Sequence, residues 1–154
     1  MTHVVIVGAG IGGVPAAHAM RAGLDSQDRV SVVSDKDYFH FVPSNPWVAM
    51  GWRNYEEIAF PVAPYLAQRG ISFIPHALKR VDAELNQIEL ADGSRVDYDY
   101  LILATGLQGV FDEVRGLDPK AGNTHSVLHV EDAQRANKAW QAFVREPGPV
   151  VVGA

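Results

Sequence analysis

Apolar residues in the first part of the chain fall in short runs that glycine and polar positions separate. His3–Val7 is an apolar, β-branched run that ends at a glycine, and residues 30–33 form a second such run. Between them, residues 11–22 carry apolar positions in helical order, with Pro15 early enough to be tolerated in a first turn. This order predicts strand, glycine turn, helix and strand, which is a βαβ unit with parallel strands and a right-handed crossover.

The segment that follows predicts one helix and one strand. Residues 55–69 are compatible with a helix that Pro61 and Pro64 interrupt and that Gly70 ends. Residues 71–74, ISFI, lie between Gly70 and Pro75 and predict a short strand.

A small meander is predicted next. Residues 78–98 alternate apolar and polar, with Asn86 and the Asp92-Gly93 pair at turn positions, so we expect short antiparallel strands there. The YLILA run at residues 100–104 then predicts a buried strand that ends at Thr105 and Gly106.

The last third predicts a loop, a helix and a strand. Residues 106–124 are rich in Gly, Asp and Pro, which indicates a connecting loop. Residues 131–145 predict a helix with one apolar face formed by Ala133, Ala136, Trp140 and Phe143. Residues 148–154, GPVVVGA, repeat the opening VVIVGAG in miniature and predict the first strand of a second unit of the same kind.

These elements predict an α/β, Rossmann-like fold with a parallel sheet and a small antiparallel β-meander. We expect an incomplete dinucleotide-binding domain over residues 1–115. A connecting loop and helix would occupy residues 116–147, and the beginning of a second domain residues 148–154. The sequence therefore looks like a fragment of a longer chain.

Charge and composition exclude several classes of function. The chain has 154 residues, a formal net charge of −5 and scattered Lys and Arg, which argues against nucleic acid as a partner. It contains no cysteine, which rules out a disulfide framework or dithiol chemistry within these residues. The apolar start carries no basic leader or cleavage site, so we expect an intracellular protein without a signal peptide.

A glycine motif supplies the first candidate chemistry. Gly8, Gly10, Gly12 and Gly13 fit G-x-G-x-x-G directly after a predicted strand and at the start of a predicted helix. In this motif the first glycine permits the tight turn, the second lets backbone approach a pyrophosphate, and the last lets helix and strand pack closely. The alternative is a glycine-rich turn without a ligand, but the strand-turn-helix context favours a dinucleotide.

The end of the second strand supplies candidate ribose ligands. Ser34 and Asp35 fall where a hydroxyl or carboxylate is expected to hydrogen-bond a ribose. A carboxylate there disfavours a phosphorylated ribose and therefore NADP. Both residues are also common in ordinary turns, so either could be only a turn residue.

An aromatic stretch at residues 37–54, DYFHFVPSNPWVAMGWRN, fits neither a regular helix nor a regular strand. Its composition is compatible with a surface shaped around a flat ligand and equally with a hydrophobic lid over a core. Trp47 and Trp52 could stack on a quinone or pack beneath the loop.

The segment YFHFVPSNPWVAMGWRN, together with EIAFP after it and DYDYLILATG later, closely resembles the sulfide:quinone oxidoreductase family. That family belongs to the flavoproteins with two dinucleotide-binding domains. The resemblance implies FAD as cofactor and transfer of two electrons from sulfide to a membrane quinone. It further implies a cytoplasmic protein, peripheral to the inner face of the plasma membrane, that could form homo-oligomers.

The resemblance also implies roles for particular residues. Val42, Pro43 and Ser44 match a segment beside the isoalloxazine, and Thr105 and Gly106 match the flavin-contacting turn. The ribose and adenine contacts would come from Ser34, Asp35, Lys36 and the backbone of Ala77, with the pyrophosphate held by Gly8, Gly10, Gly12 and Gly13.

One position departs from the family. Leu128 stands where the family commonly carries a cysteine. The family's two other cysteines, which attack sulfide and carry the growing sulfur chain, would lie after residue 154. Sulfide chemistry is therefore implied by the family alone, and we expect the isolated 154 residues to be inactive.

Other functions stay open at this point. A flavoprotein NADH:quinone dehydrogenase has the same plan and needs no cysteine. The flavin subunit of flavocytochrome c sulfide dehydrogenase is disfavoured by the missing signal peptide, and a non-catalytic module that senses redox state through FAD or NAD is a third possibility. His125 and His129 have a spacing known from metal ligands, but loop histidines are the preferred interpretation. The Asp97/Asp99 pair is interpreted as a solvated strand end.

Overall fold

The computed structural model describes residues 1–111, 113–119 and 124–152. The chain divides into two compact units. We call the first, Met1–His40 with Ala59–Leu107, the sheet unit, and the second, Phe41–Ile58 with Gln108–Ala154, the helical unit. No local pattern in the sequence reveals that residues 41–58 pack with a helix far along the chain. The domain boundaries at residues 115 and 147 stay a prediction.

The sheet unit is built on four parallel strands in the order β5-β2-β1-β9. These strands are β1 (His3–Val7), β2 (Arg29–Val33), β5 (Ser72–Ile74) and β9 (Tyr100–Leu103). Helix α1 (Gly13–Gly23) connects β1 to β2, as the βαβ pattern predicted. The predicted strands at residues 3–7, 30–33, 71–74 and 100–104 are thus confirmed to within one residue at each end.

Both faces of this sheet are covered, which explains why β1 is a continuous apolar run. Val4 and Ile6 point to one face and pack with Ala17 of α1, while Val5 and Val7 point to the other face. Ile6 is fully buried, and burial of a side chain of this size contributes about 1.5–3 kcal/mol.

The second face is covered by the predicted meander. Strands β6 (Leu78–Asp82), β7 (Gln87–Leu90) and β8 (Arg95–Asp97) form a three-stranded antiparallel sheet. Both predicted turns are confirmed, since Asn86 has a φ of 49° and Gly93 a φ of 86°. Ile88 and Leu90 are buried against the parallel sheet.

The prediction of a helix over residues 55–69 is wrong for most of that range. The chain forms a 3-10 turn at Tyr55–Glu57, strand β4 at Ala59–Pro61 and a short helix α3 at Ala63–Ala67. Proline has no N–H for the helical ladder, and β4 instead pairs antiparallel with β3 (Tyr38–His40), where the rings of Phe39 and Phe60 stack at 5.0 Å. Helix α3 ends at Ala67, before the predicted end at Gly70, which has a φ of 68° and lies in the turn that follows.

The helical unit joins the aromatic stretch to the last helix. A 3-10 turn at Val42–Ser44 runs into helix α2 (Asn45–Ala49), and helix α4 spans Val130–Phe143. The shared core consists of Val48, Ala49, Ile58, Val130 and Ala133. The predicted apolar face of α4 is confirmed at Ala133, which is fully buried, and at the stacked rings of Trp140 and Phe143.

The predicted loop and final strand have different outcomes. Residues 106–111 and 113–118 form turns and irregular structure, as predicted, while residues 112 and 120–123 lie outside the described residues. Residues 148–152 form no strand, and Val151 is 93% exposed. A strand needs a hydrogen-bonded neighbour, and no strand in the described part of the chain pairs with this segment. Residues 153 and 154 of the predicted strand lie outside the description.

No helix within the described ranges is long and apolar enough to cross a membrane.

The side chain of His3, at the start of β1, is buried and has polar neighbours. Its Nε2 lies 2.8 Å from the hydroxyl oxygen of Ser31, and its Nδ1 lies 3.3 Å from the Arg29 guanidinium. Its backbone N–H donates to the Asp99 carboxylate at 2.7 Å. Burial, and then the positive charge of Arg29, hold the pKa of His3 below its ordinary value of 6.5.

We therefore expect the free energy of unfolding to fall as the pH drops below about 6.5, where the unfolded chain binds a proton at this histidine before the folded chain does. The slope from this group is at most about 1.4 kcal/mol per pH unit. Urea unfolding between pH 8 and pH 5.5 measures it. The variant His3→Gln should flatten the profile, and an unchanged slope would show that another group causes it.

Candidate functional site

The turn between β1 and α1 is shaped by the close approach of three backbone segments. Gly8 has a φ of 112°, and its N–H donates to the carbonyl of Val33 at 2.8 Å. A Cβ placed on Gly8 would lie 2.1 Å from the carbonyl oxygen of Ala104, just beyond β9. Only glycine therefore fits at Gly8 with the strand end and the returning chain in these positions.

The start of α1 is equally tight. A Cβ on Gly13 would lie 1.8 Å from the carbonyl oxygen of Gly8, so the helix packs directly on the turn. By contrast, a Cβ on Gly10 would meet no atom within 4 Å, and one on Gly12 would only contact the Ala104 methyl group at 3.7 Å. The backbone around Gly10 thus borders open space at the beginning of the helix.

The electrostatics of this open space favour an anion. The N-terminus of α1 has no side-chain cap and no acidic residue in its first turn. The first N–H groups of a helix lack intrahelical partners, and the helix dipole places partial positive charge there. A phosphate group at this point would receive backbone N–H donors without competition from a capping side chain.

The ends of the neighbouring strands bring further predicted residues to the same edge of the sheet. Ser34 follows β2, is 8% exposed and uses its hydroxyl oxygen to accept the N–H of Lys36 at 3.1 Å. Asp35 and Lys36 are exposed. The Ser34 oxygen thus holds the turn, and the exposed carboxylate of Asp35 is the group accessible to a ribose.

Thr105 and Gly106 follow β9 beside the glycine turn. Both are exposed, and Gly106 has a φ of 81°. The N–H of Ala104 donates to the carbonyl of Val7 at 2.8 Å, which fixes the chain as it leaves β9. Ala77 lies just before β6, where its carbonyl accepts the N–H of Ala91 at 2.9 Å.

The predicted residues Val42, Pro43 and Ser44 belong to the helical unit and form the 3-10 turn there. Val42 and Pro43 are exposed, whereas Ser44 is 5% exposed. The predicted site residues therefore belong to both units. Val42, Pro43 and Ser44 lie in the helical unit, and the others lie in the sheet unit: Gly8, Gly10, Gly12, Gly13, Ser34, Asp35, Lys36, Ala77, Thr105 and Gly106.

The tryptophans of the aromatic stretch do not pack beneath a loop within the helical unit. Trp47 and Trp52 are 46% and 69% exposed. The Arg53 guanidinium lies 5.6 Å from the centre of the Trp47 ring, close enough for a cation–π contact. Packing under the loop is thus the wrong alternative for these two side chains.

Asn45 is a residue that sequence reasoning missed. It directly follows the 3-10 turn and is fully buried, and its amide Nδ2 donates to the carbonyls of Val127 at 2.9 Å and Leu128 at 3.2 Å. An asparagine between Ser44 and Pro46 looks like any helix-start residue. No pattern in the sequence points to partners 82 and 83 positions away.

No three acidic, histidine or cysteine side chains in the described ranges are placed to hold a metal ion. His125 is exposed, and His129 immediately precedes α4.

The sequence profile of the pyridine nucleotide-disulphide oxidoreductase family matches residues 2–154. The chain belongs to this family. The predicted α/β, Rossmann-like fold and the resemblance to sulfide:quinone oxidoreductases are confirmed.

Relatives within the family include both kinds of quinone reductase considered above. Sulfide-quinone reductase of Aquifex aeolicus is 38% identical over 99% of this chain and 34% of its own length. Its crystal structure superposes with a TM-score of 0.86 at 34% identity, over 97% of this chain and 34% of that one. Type II NADH:quinone oxidoreductase of Staphylococcus aureus is 21% identical over 86% of this chain and 33% of its own length. The chain thus spans about a third of these relatives.

Pyridine nucleotide-disulphide oxidoreductases of this kind are FAD-binding flavoproteins, which confirms the predicted cofactor. The sheet unit fits the pyrophosphate of FAD: Gly8 and Gly13 leave no room for a side chain, Gly10 borders open space, and the uncapped helix N-terminus favours negative charge. The assignment of each residue to a part of FAD stays a prediction.

The glycine turn predicts a sharp difference between two alanine substitutions in α1. Gly13→Ala would force the helix away from the Gly8 carbonyl, and we expect it to lower the free energy of unfolding by about 1–3 kcal/mol. Gly23→Ala, at the other end of α1, meets no atom within 4 Å and should change stability by less than about 0.5 kcal/mol. Urea unfolding of both variants provides the comparison, and equal losses would contradict the steric explanation.

Proposed function

We propose that the chain is the FAD-binding part of a flavoprotein that passes two electrons from sulfide to a membrane quinone. The observation that carries this proposal is the likeness to the Aquifex aeolicus sulfide-quinone reductase, at 38% identity over 99% of the chain. The glycine turn and the open helix N-terminus support it, because they provide the anion-binding backbone that a dinucleotide requires.

Each part of the site has a separate task in this proposal. Backbone around Gly10 binds the pyrophosphate, the exposed carboxylate of Asp35 accepts a ribose hydroxyl, and Ser34 keeps the Lys36 turn in place. The adenine meets the backbone of Ala77. By the resemblance to the sulfide:quinone oxidoreductase family, Val42–Ser44 are proposed to contact the isoalloxazine, and Thr105 and Gly106 are proposed to contact the flavin. When bound, FAD supplies the capacity to accept two electrons from a donor and deliver them to an acceptor.

The cysteines that would take up sulfur from sulfide, as its two electrons pass to the flavin, are not among these 154 residues, since the chain has no cysteine. We therefore propose that these cysteines and the quinone site belong to other parts of the parent protein, by which we mean the natural protein that contains these residues. The parent protein would act as a peripheral protein on the inner, cytoplasmic face of the plasma membrane, and it could be a homo-oligomer.

One other function has support of its own in the comparisons. The Staphylococcus aureus relative is named as a type II NADH:quinone oxidoreductase, so NADH is a possible electron donor. A redox-sensing module would need only the residues that bind the cofactor. The candidate functions differ in the electron donor that reduces the flavin.

We expect the flavin absorbance of the parent protein to bleach after anaerobic mixing with sulfide and not after mixing with NADH. The isolated 154 residues serve as the control, because without cysteine they should show no sustained sulfide-dependent quinone reduction. Bleaching by NADH alone would overturn the proposal in favour of the dehydrogenase. Flavin that binds tightly and is reduced by neither sulfide nor NADH would favour the sensing module.

A further inference from the structure

The fully buried Asn45 ties together two segments of the helical unit that are far apart in sequence. Its Nδ2 lies 2.9 Å from the carbonyl oxygen of Val127 and 3.2 Å from that of Leu128. The Asn45 side chain is completely buried, so water cannot replace a carbonyl acceptor that its amide loses. One side-chain amide therefore fixes the course of two consecutive peptide groups.

A second hydrogen bond stabilises the backbone around Leu128. The N–H of Leu128 donates to the hydroxyl oxygen of Ser126 at 3.0 Å. Two residues later, Val130 begins α4 and is buried against Val48 and Ala49 of α2. Residues 126–130 are thus fixed at the Leu128 amide, at the two carbonyls and at the first apolar side chain of the helix.

Asn45 is also continuous with the 3-10 turn at Val42–Ser44, because it begins α2 directly after that turn. Its own N–H donates to the carbonyl of Val42, which closes the turn. Backbone and side chain of one residue therefore connect Val42–Ser44 to Val127–Leu128.

We propose that Asn45 is a positioning residue of the flavin site: it holds Val127 and Leu128 in a fixed position relative to Val42–Ser44 and so sets the surroundings of the isoalloxazine. This inference rests on the proposed function, in which Val42–Ser44 line that ring. Asn45 itself does not need to touch the flavin.

The variant Asn45→Asp tests the proposal in the parent protein. It keeps the shape of the side chain but removes both amide N–H donors and places a carboxylate against two carbonyl oxygens. We expect a changed visible circular dichroism of the bound flavin and about tenfold weaker FAD binding, because the segments beside the ring would have to be ordered when FAD binds. Protonation of the new carboxyl at low pH restores one donor, so the spectral change should diminish as the pH is lowered.

Asn137→Asp is the matched control. Asn137 donates its Nδ2 to a single carbonyl, that of Ala49 at 3.1 Å, within the same unit and away from residues 126–128. It should lower the stability of the protein while leaving the flavin circular dichroism unchanged and FAD affinity within about twofold of the wild type. Equal spectra for the two variants would overturn the positioning role.

Ser126→Ala is a second test of the proposal, for use if the Asn45→Asp variant does not fold. It removes only the hydroxyl that accepts the Leu128 N–H, at a half-buried position. We expect a smaller spectral change in the same direction, and an unaltered spectrum would overturn the proposal. If the unsubstituted parent protein binds no flavin, the proposed function fails together with this inference. If it binds flavin that sulfide reduces while the variant spectra stay unaltered, the positioning role alone is wrong.

Discussion

The architecture of the sheet unit depends on the absence of side chains at two points of the first turn. Alanine at Gly8 would collide with the Ala104 carbonyl, and alanine at Gly13 would collide with the Gly8 carbonyl. Because both contacts are backbone contacts, they cannot be relieved by a change of rotamer. The end of β1, the chain beyond β9 and the start of α1 are consequently locked to one another. This arrangement brings the helix N-terminus to the carboxyl edge of the parallel sheet, where open α/β sheets bind their ligands.

Local electrostatics then decide what this edge can bind. The chain as a whole is acidic, with a formal net charge of −5, yet the first turn of α1 contains no acidic residue and no side-chain cap. The positive potential comes from oriented peptide groups and not from lysine or arginine side chains. An acidic flavoprotein domain can therefore hold a pyrophosphate through its backbone, without a cluster of basic side chains.

The predictable and unpredictable parts of the structure differ in the range of the interactions that form them. The glycine turn, β1, β2 and the meander follow from local patterns, because alternation, β-branching and turn residues are encoded within a few positions. The helix expected over residues 55–69 fails because the pairing of β4 with β3, some 20 residues earlier, competes with local propensity. Asn45 could not be identified, since its partners lie more than 80 positions away. Residues 148–152 of the expected final strand are not in a strand, since pairing decides whether an apolar run becomes one.

The claim that the turn between β1 and α1 binds FAD is tested most directly with the parent protein and its Gly10→Ala variant. FAD binding and unfolding are measured on the same samples. A Cβ at Gly10 meets no atom within 4 Å, so the free energy of unfolding should change by less than about 0.5 kcal/mol. The dissociation constant for FAD should rise by about tenfold or more, because the methyl group occupies the space through which backbone approaches the pyrophosphate. Unchanged FAD affinity in a variant of unchanged stability would contradict the assignment of this turn to the cofactor.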